Sequence, residues 1–151
     1  MIRNDFCATI WQAMVQRYGQ TAGLTEICLA LQNQHGADVV LALFLDMADR
    51  AGLCPTPAEA DSLEAAVAQW RHQVILPLRA VRTWQKAHGT TPAQSKHREA
   101  VKRLELEAEQ IELSVLTALF ATQTGGGASA ALRYLTRLNA DPVLVARFLA
   151  V

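Results

Sequence analysis

Apolar residues recur at helical spacing along most of this chain, and one stretch is apolar on every side. Val39 to Ala48 reads VVLALFLDMA, interrupted only by Asp46. A helix with no polar face has no side to show to water, so the pattern predicts a buried central rod over residues 38–51. Upstream, Phe6, Ile10, Met14 and Tyr18, with Trp11 beside them, form one face of a first helix. It begins at Asn4 or Asp5 and ends at Gly19. Leu24, Ile27, Cys28 and Leu31 make the face of a second, opening near Thr25 and stopping at His35, with Gly36 in the left-handed position beyond it. Asp38 then caps the central helix and Gly52 closes it.

Three later helices share one opening device, a capping residue followed by proline in the first turn. Thr56-Pro57 opens the fourth, with Glu59 completing a capping box; Thr91-Pro92 opens the fifth, with Gln94 in the matching place; Asp141-Pro142 opens the last. The fourth carries Leu63, Val67, Trp70, Val74, Pro77, Val81 and Trp84 in alternating steps of four and three, a seam for a neighbouring helix. Pro77 cannot donate to the carbonyl of Gln73, which predicts a kink. The fifth repeats the spacing with Val101, Leu104, Ala108, Ile111, Val115 and Ala118. It adds a second stripe, Leu106, Leu113 and Phe120, on nearly the opposite side. Gly125-Gly126-Gly127 breaks the chain and marks a hinge at 125–127 before a C-terminal helix pair, Leu132 to Leu138 and Val143 to Leu149. No strand alternation of useful length and no repeat occurs. The predicted fold class is all-α, one domain spanning 1–151, a bundle of about six or seven helices joined by short loops.

Composition narrows the function classes. Of 151 residues, 51% are hydrophobic and 19% charged, which excludes disorder, and formal charge is zero. That balance argues against nucleic acid, whose partners carry a basic footprint, and against anionic membranes. No apolar run approaches the roughly 20 residues of a membrane span. The start, MIRNDFCATIW, lacks the form of a secretory signal. Cys7, Cys28 and Cys54 are odd in number and form no CxxC pair. These features predict reduced thiols in a cytoplasmic protein without cofactor or metal.

Candidate chemistry is sparse. The second and third helices have the outline of a helix-turn-helix, but the third offers Val39, Val40, Leu41, Leu43 and Phe44 where a DNA reader needs polar side chains. Glu105, Glu109 and Glu112 edge the fifth helix, opposite Arg79, Arg82 and Lys86 on the fourth. A dimetal bundle site uses Glu-x-x-His, which is absent, so an interhelical ion-pair ladder is the expectation. Gln32, His35 and Asp38 bracket the Gly36 turn, and Asp38 could orient His35 as a base, but no nucleophile stands at an identifiable spacing. Asp46 either pairs, with Arg79 or Arg82, or sits near the helix end facing water beside Asp49 and Arg50; the second is favoured. Leu106, Leu113 and Phe120 are covered either by the last two helices or by a partner helix.

Three segments together resemble a proteobacterial family of small helical proteins catalogued as a domain of unknown function. They are CLALQNQHGADVVLALF at Cys28–Phe44, Trp70 with VILPLRAVR at Val74–Arg82, and VKRLELEAEQIEL at Val101–Leu113. Asp5-Phe6 and Leu132–Tyr134 extend the likeness over most of the chain. The resemblance implies a bacterial, cytoplasmic setting and brings no activity, cofactor or catalytic residue. The chain departs from the pattern at Val40, where the family often has Asn, at Asp46, where it has an apolar residue, and at Met47, where it has Trp. The functional expectation is a non-enzymatic module that binds a partner protein or itself. The alternative is a small-molecule or enzymatic site within the bundle lined by Trp70, Arg79, Arg82 and Glu109.

Overall fold

A computed structural model of the chain describes residues 3–120 and 127–151. Over these it forms seven helical rods and no strand: α1 (Arg3–Gln20), α2 (Leu24–His35), α3 (Val39–Arg50), α4 (Pro57–Trp70, a π-helical turn Arg71–Ile75, then Leu76–His88), α5 (Pro92–Leu119), α6 (Ala130–Arg137) and α7 (Pro142–Ala150). The fold is all-α with α3 buried, as the apolar run requires. Of the predicted hinge at 125–127, residues 125 and 126 lie outside the described residues; Gly127 is described, with φ of 117°.

The helix ends follow local chemistry. Gly36 takes φ of 67°, and the N–H groups of Gly36 and Ala37 return to the carbonyls of Gln32 and Leu31. A side chain at that φ is strained, so glycine makes the reversal into α3 easy. Asp38 caps α3, accepting from the Leu41 amide at 3.2 Å. Gln94 and Thr91 cap α5 reciprocally, through Gln94 N to Thr91 Oγ1 at 3.1 Å and Thr91 N to Gln94 Oε1 at 3.0 Å. The box opening α4 is half used: Thr56 accepts the Glu59 amide, but the Glu59 carboxylate turns to Arg3 at 2.6 Å. Asp141 caps α7 at the Val143 amide, 2.8 Å away.

The chain divides into two compact units, Met1–Leu63 with Leu119–Val151, and Glu64–Ala118. In the first, α3 packs on α1, α2 and, most extensively, α6, while α7 packs on α2 and α6. Phe6, Phe44 and Phe120 form a triangle with ring centroids 5.3–5.8 Å apart. The buried Arg3 guanidinium lies 4.0 Å above the Phe120 ring. The Tyr134 hydroxyl accepts the Asp38 amide at 2.9 Å, tying α6 to the start of α3. Asp49 reaches the other end of the same contact, accepting from Ser129 Oγ and the amides of Ala130 and Ala131, the orphan donors of α6.

Asp46 corrects the expectation that it faces water. It is 3% exposed and lies between Arg17 and Arg50, at 2.7 and 2.9 Å, which are its ion-pair partners. The Arg50 contact is a hydrogen bond. The Arg17 contact is a close approach of charges without hydrogen-bond alignment.

The second unit is an antiparallel hairpin made of α4 from Glu64 onward and α5. Its packing departs from the predicted seam at the π turn. Leu63 and Val67 are buried and Trp70 is half-buried, but Pro77, Val81 and Trp84 point outward. The inward series instead steps from Trp70 to Ile75 and on to Arg79 and Arg82. A π turn adds one residue, the Leu76 amide bonding the Arg71 carbonyl five positions back, and rotates everything downstream by about 100°. Pro77 supplies the reason: lacking an N–H for the Gln73 carbonyl, it leaves the preceding turn free to widen.

Candidate functional site

The clusters singled out by sequence behave differently. At the Gly36 turn, Asp38 is occupied with capping and does not orient His35. His35 Nε2 instead accepts the Asp141 amide at 3.3 Å, joining the end of α2 to the start of α7. Gln32 contributes its backbone carbonyl to the Gly36 cap. The three residues make joints between helices and no base–nucleophile pair.

Arg79, Arg82, Glu105 and Glu109 are brought together in the hairpin seam. Arg79 Nε and Nη2 reach Glu105 at 2.9 Å and Glu109 at 3.0 Å, and Arg82 Nε reaches Glu105 at 2.5 Å. Burial pushes the Glu105 carboxyl upward, but the hydrogen bonds from Arg82 and Arg79 outweigh it and hold it below the ordinary carboxylate range. The Arg82 guanidinium is correspondingly raised, first by its bond to Glu105. Trp70 Nε1 donates to the Ala108 carbonyl at 2.9 Å. Each group of the supposed ligand site is thus engaged with a neighbour in the same hairpin. Among the described residues no group of three or more His, Cys, Asp or Glu side chains is placed to hold a metal ion.

The stripe Leu106, Leu113 and Phe120 does not form one exposed face. Leu113 and Phe120 are buried, at 3% and 5%, and only Leu106 is exposed. Phe120 is covered by Phe6 of α1 and Phe44 of α3, where the last two helices or a partner had been the expected cover. The buried line of α5 runs Val101, Glu105, Ala108, Glu112, Leu116, so two glutamates expected along the helix edge lie in the buried line. A groove of about 530 Å³ between α6 and α7 is lined by Leu132, Val145 and Leu149, with only Thr136 and Asn139 polar. It holds none of the candidate residues.

The feature sequence reasoning missed is the outer face of the hairpin. Two cross-links define its flanks. Gln85 Nε2 lies 2.7 Å from His97 Nδ1 on one, and Arg79 meets Glu109 on the other. At about 100° per residue, Val81 and Trp84 of α4 fall beyond Gln85, and Leu104 and Ile111 of α5 fall beyond His97. Val81, Leu104 and Ile111 therefore look out from the same flank, and Trp84 lies at its outer edge on α4. Val81, Trp84, Leu104 and Ile111 are 47%, 62%, 52% and 46% exposed. Leu106 belongs to the opposite flank. The Trp84 ring stacks on His88, centroids 4.5 Å apart, which holds it flat along the helix. Within about 50° of this stripe on either helix, the only Lys, Arg, Asp or Glu is Glu107, at the outer edge of α5. The signal was present in the sequence: the basic residues of α4 and the acidic residues of α5 share one spacing, and pairing them turns the apolar seam outward.

No helix among the described residues is long and apolar enough to cross a membrane. No curated protein and no solved structure matches the chain. The model of one family does match, over residues 9–116, a span that holds the whole seam and outer face of the hairpin. The chain thus belongs to the family described as a protein of unknown function, DUF2390.

Proposed function

We propose that this chain is a protein-interaction module whose binding surface is the outer face of the α4–α5 hairpin, centred on Val81 and Leu104 with Trp84 at its edge. The observation that carries the reading is the coincidence of exposed large apolar side chains with depletion of charge on one flank of one hairpin. Scattered exposed leucines are ordinary, whereas a contiguous, charge-poor patch containing an aromatic is the composition of an interface core. The engagement of Arg79 and Arg82 by carboxylates favours this over a small-molecule site.

Site-specific photocrosslinking tests the reading in the protein's native cells. A photoreactive phenylalanine analogue at 84 or 104 should give the same discrete adduct, whatever its mass. The analogue at 106 or 103, on other sides of the hairpin, should not. Absence of a discrete adduct at both 84 and 104, or equal adducts at all four positions, would overturn it.

A further inference from the structure

We infer that the occupant of this face is a second copy of the same chain, docked isologously so that two hairpins form a four-helix bundle. The inference rests on the interaction reading above and names its partner.

Three observations lead to it. First, the hairpin is a single layer. Helical domains bury their apolar stripes between at least two layers, and within its own unit the hairpin supplies no second layer for Val81, Trp84, Leu104 and Ile111, which are about half exposed. A second antiparallel hairpin is the simplest element that supplies one, in the ordinary geometry of a four-helix bundle. Second, charge suits a two-fold contact. Such a contact sets a patch against itself, so a patch of one sign repels its own image and a neutral one does not. Only Glu107 carries charge here, at the edge, where it stays in water. A different protein would be steered by complementary charge, and this face offers almost none. Third, the area is adequate. Helices about 10 Å apart give a face about 20 Å wide, and about 17 residues at 1.5 Å each give about 25 Å of length. That is about 500 Å² per copy and about 1,000 Å² for the pair, the lower end of specific interfaces. An interface of this size belongs to the weak, transient class, so the dimer should dissociate on dilution.

Sedimentation velocity and light scattering on the full chain, from about 1 to 500 μM, test this. The expected result is a rise from the 16.5 kDa monomer toward twice that mass. Trp84→Glu and Leu104→Glu should each weaken association at least tenfold, whereas Leu106→Glu on the other flank leaves it within twofold. All three sites are about half exposed, so helix content should survive, and circular dichroism checks it. A monomer over the whole range overturns the inference, as does a dimer indifferent to both Trp84→Glu and Leu104→Glu. A monomer that still yields a discrete adduct at 84 and 104 overturns self-association alone and leaves the interaction reading standing. Loss of the adduct as well removes both.

Discussion

Replacing Asp46 with asparagine should destabilise the fold far more than removing either residue's exposed charge would suggest. The substitution keeps the shape of the side chain and deletes one charge. Two guanidiniums then face each other across a neutral amide. Arg50 is 45% exposed and keeps solvent-exposed bonds to the Leu149 and Val151 oxygens, so the share of its pair with Asp46 is below about 1 kcal/mol. Arg17 lacks that exposure: its side chain is 12% exposed, lies 5.8 Å from the Phe148 ring and keeps one backbone acceptor, the Val151 oxygen, at 2.9 Å. Breaking a buried pair from one side costs about 3–5 kcal/mol, and the acceptor and ring that remain lower this to about 2–4 kcal/mol. For a chain of this length the loss corresponds to a fall in melting temperature of about 5–15 °C.

The assay is thermal and urea unfolding followed by circular dichroism, with Arg50→Ala and the double variant Arg17→Met/Asp46→Leu alongside. Arg50→Ala should lose less than about 1 kcal/mol. The double variant should recover most of the loss, because exchanging both members of a buried pair for apolar side chains of similar volume is often neutral. If Asp46→Asn and Arg50→Ala lose the same small amount, Asp46 is solvated in practice and the buried-pair argument fails. If the double variant is worse than Asp46→Asn, the pair stabilises beyond charge neutralisation.

Glu105→Gln should be less stable than the parent at pH 7, and the difference should shrink in acid. The folded-state pKa of Glu105 lies below its unfolded value of about 4.3, so its contribution is present above that value and disappears as pH falls through the lower one. Urea midpoints at pH 7 and pH 3 check this, and a constant difference would refute it. Burial pushes the Cys28 thiol up to about 12, against a smaller opposing pull from Arg17, so a disulfide reagent at pH 8 should label the half-buried Cys54 and leave Cys28 untouched until denaturant is added. Equal labelling of the two in the native protein would contradict the packing of α2.

What the sequence made legible was local. Thr91 with Gln94, Asp38 with Leu41, and Gly36 act within four residues of themselves, so their chemistry is visible before any fold is known. The Arg17 partner of Asp46 and the partners of Asp49, Arg3 and His35 were not visible, because each is met across tens of residues. Arg3 reaches Glu59 and draws its carboxylate away from the reciprocal half of the capping box, while the Glu59 amide stays on Thr56. Asp49, expected to face water, caps a helix that begins some eighty residues later. The hardest element to read was the outer half of the hairpin. There the heptad pattern of α4 continues unbroken through Pro77 while the backbone does not. A pattern read at constant pitch places Val81 and Trp84 inside, and one added residue is enough to turn them out.

That added residue links the two unusual properties of the hairpin. Without the π turn, Val81 and Trp84 would meet α5 and the guanidiniums of Arg79 and Arg82 would be solvated, giving an ordinary apolar seam. With it, half-buried ion pairs hold the two helices in register, a role in which their modest stabilisation matters less than their direction. The exchange is poor for an isolated hairpin, since each large side chain left in water forgoes about 1–2 kcal/mol of burial. Four such side chains amount to a substantial part of the stability of a small domain. An arrangement that gives this up on one flank, while spending charged groups on its own interior, makes physical sense where the flank is covered by another surface. The polar seam has a second effect: it fixes the rotation of both helices whether or not another surface is docked. The face presented by Val81, Trp84, Leu104 and Ile111 is therefore preorganised, which lowers the entropy lost on docking.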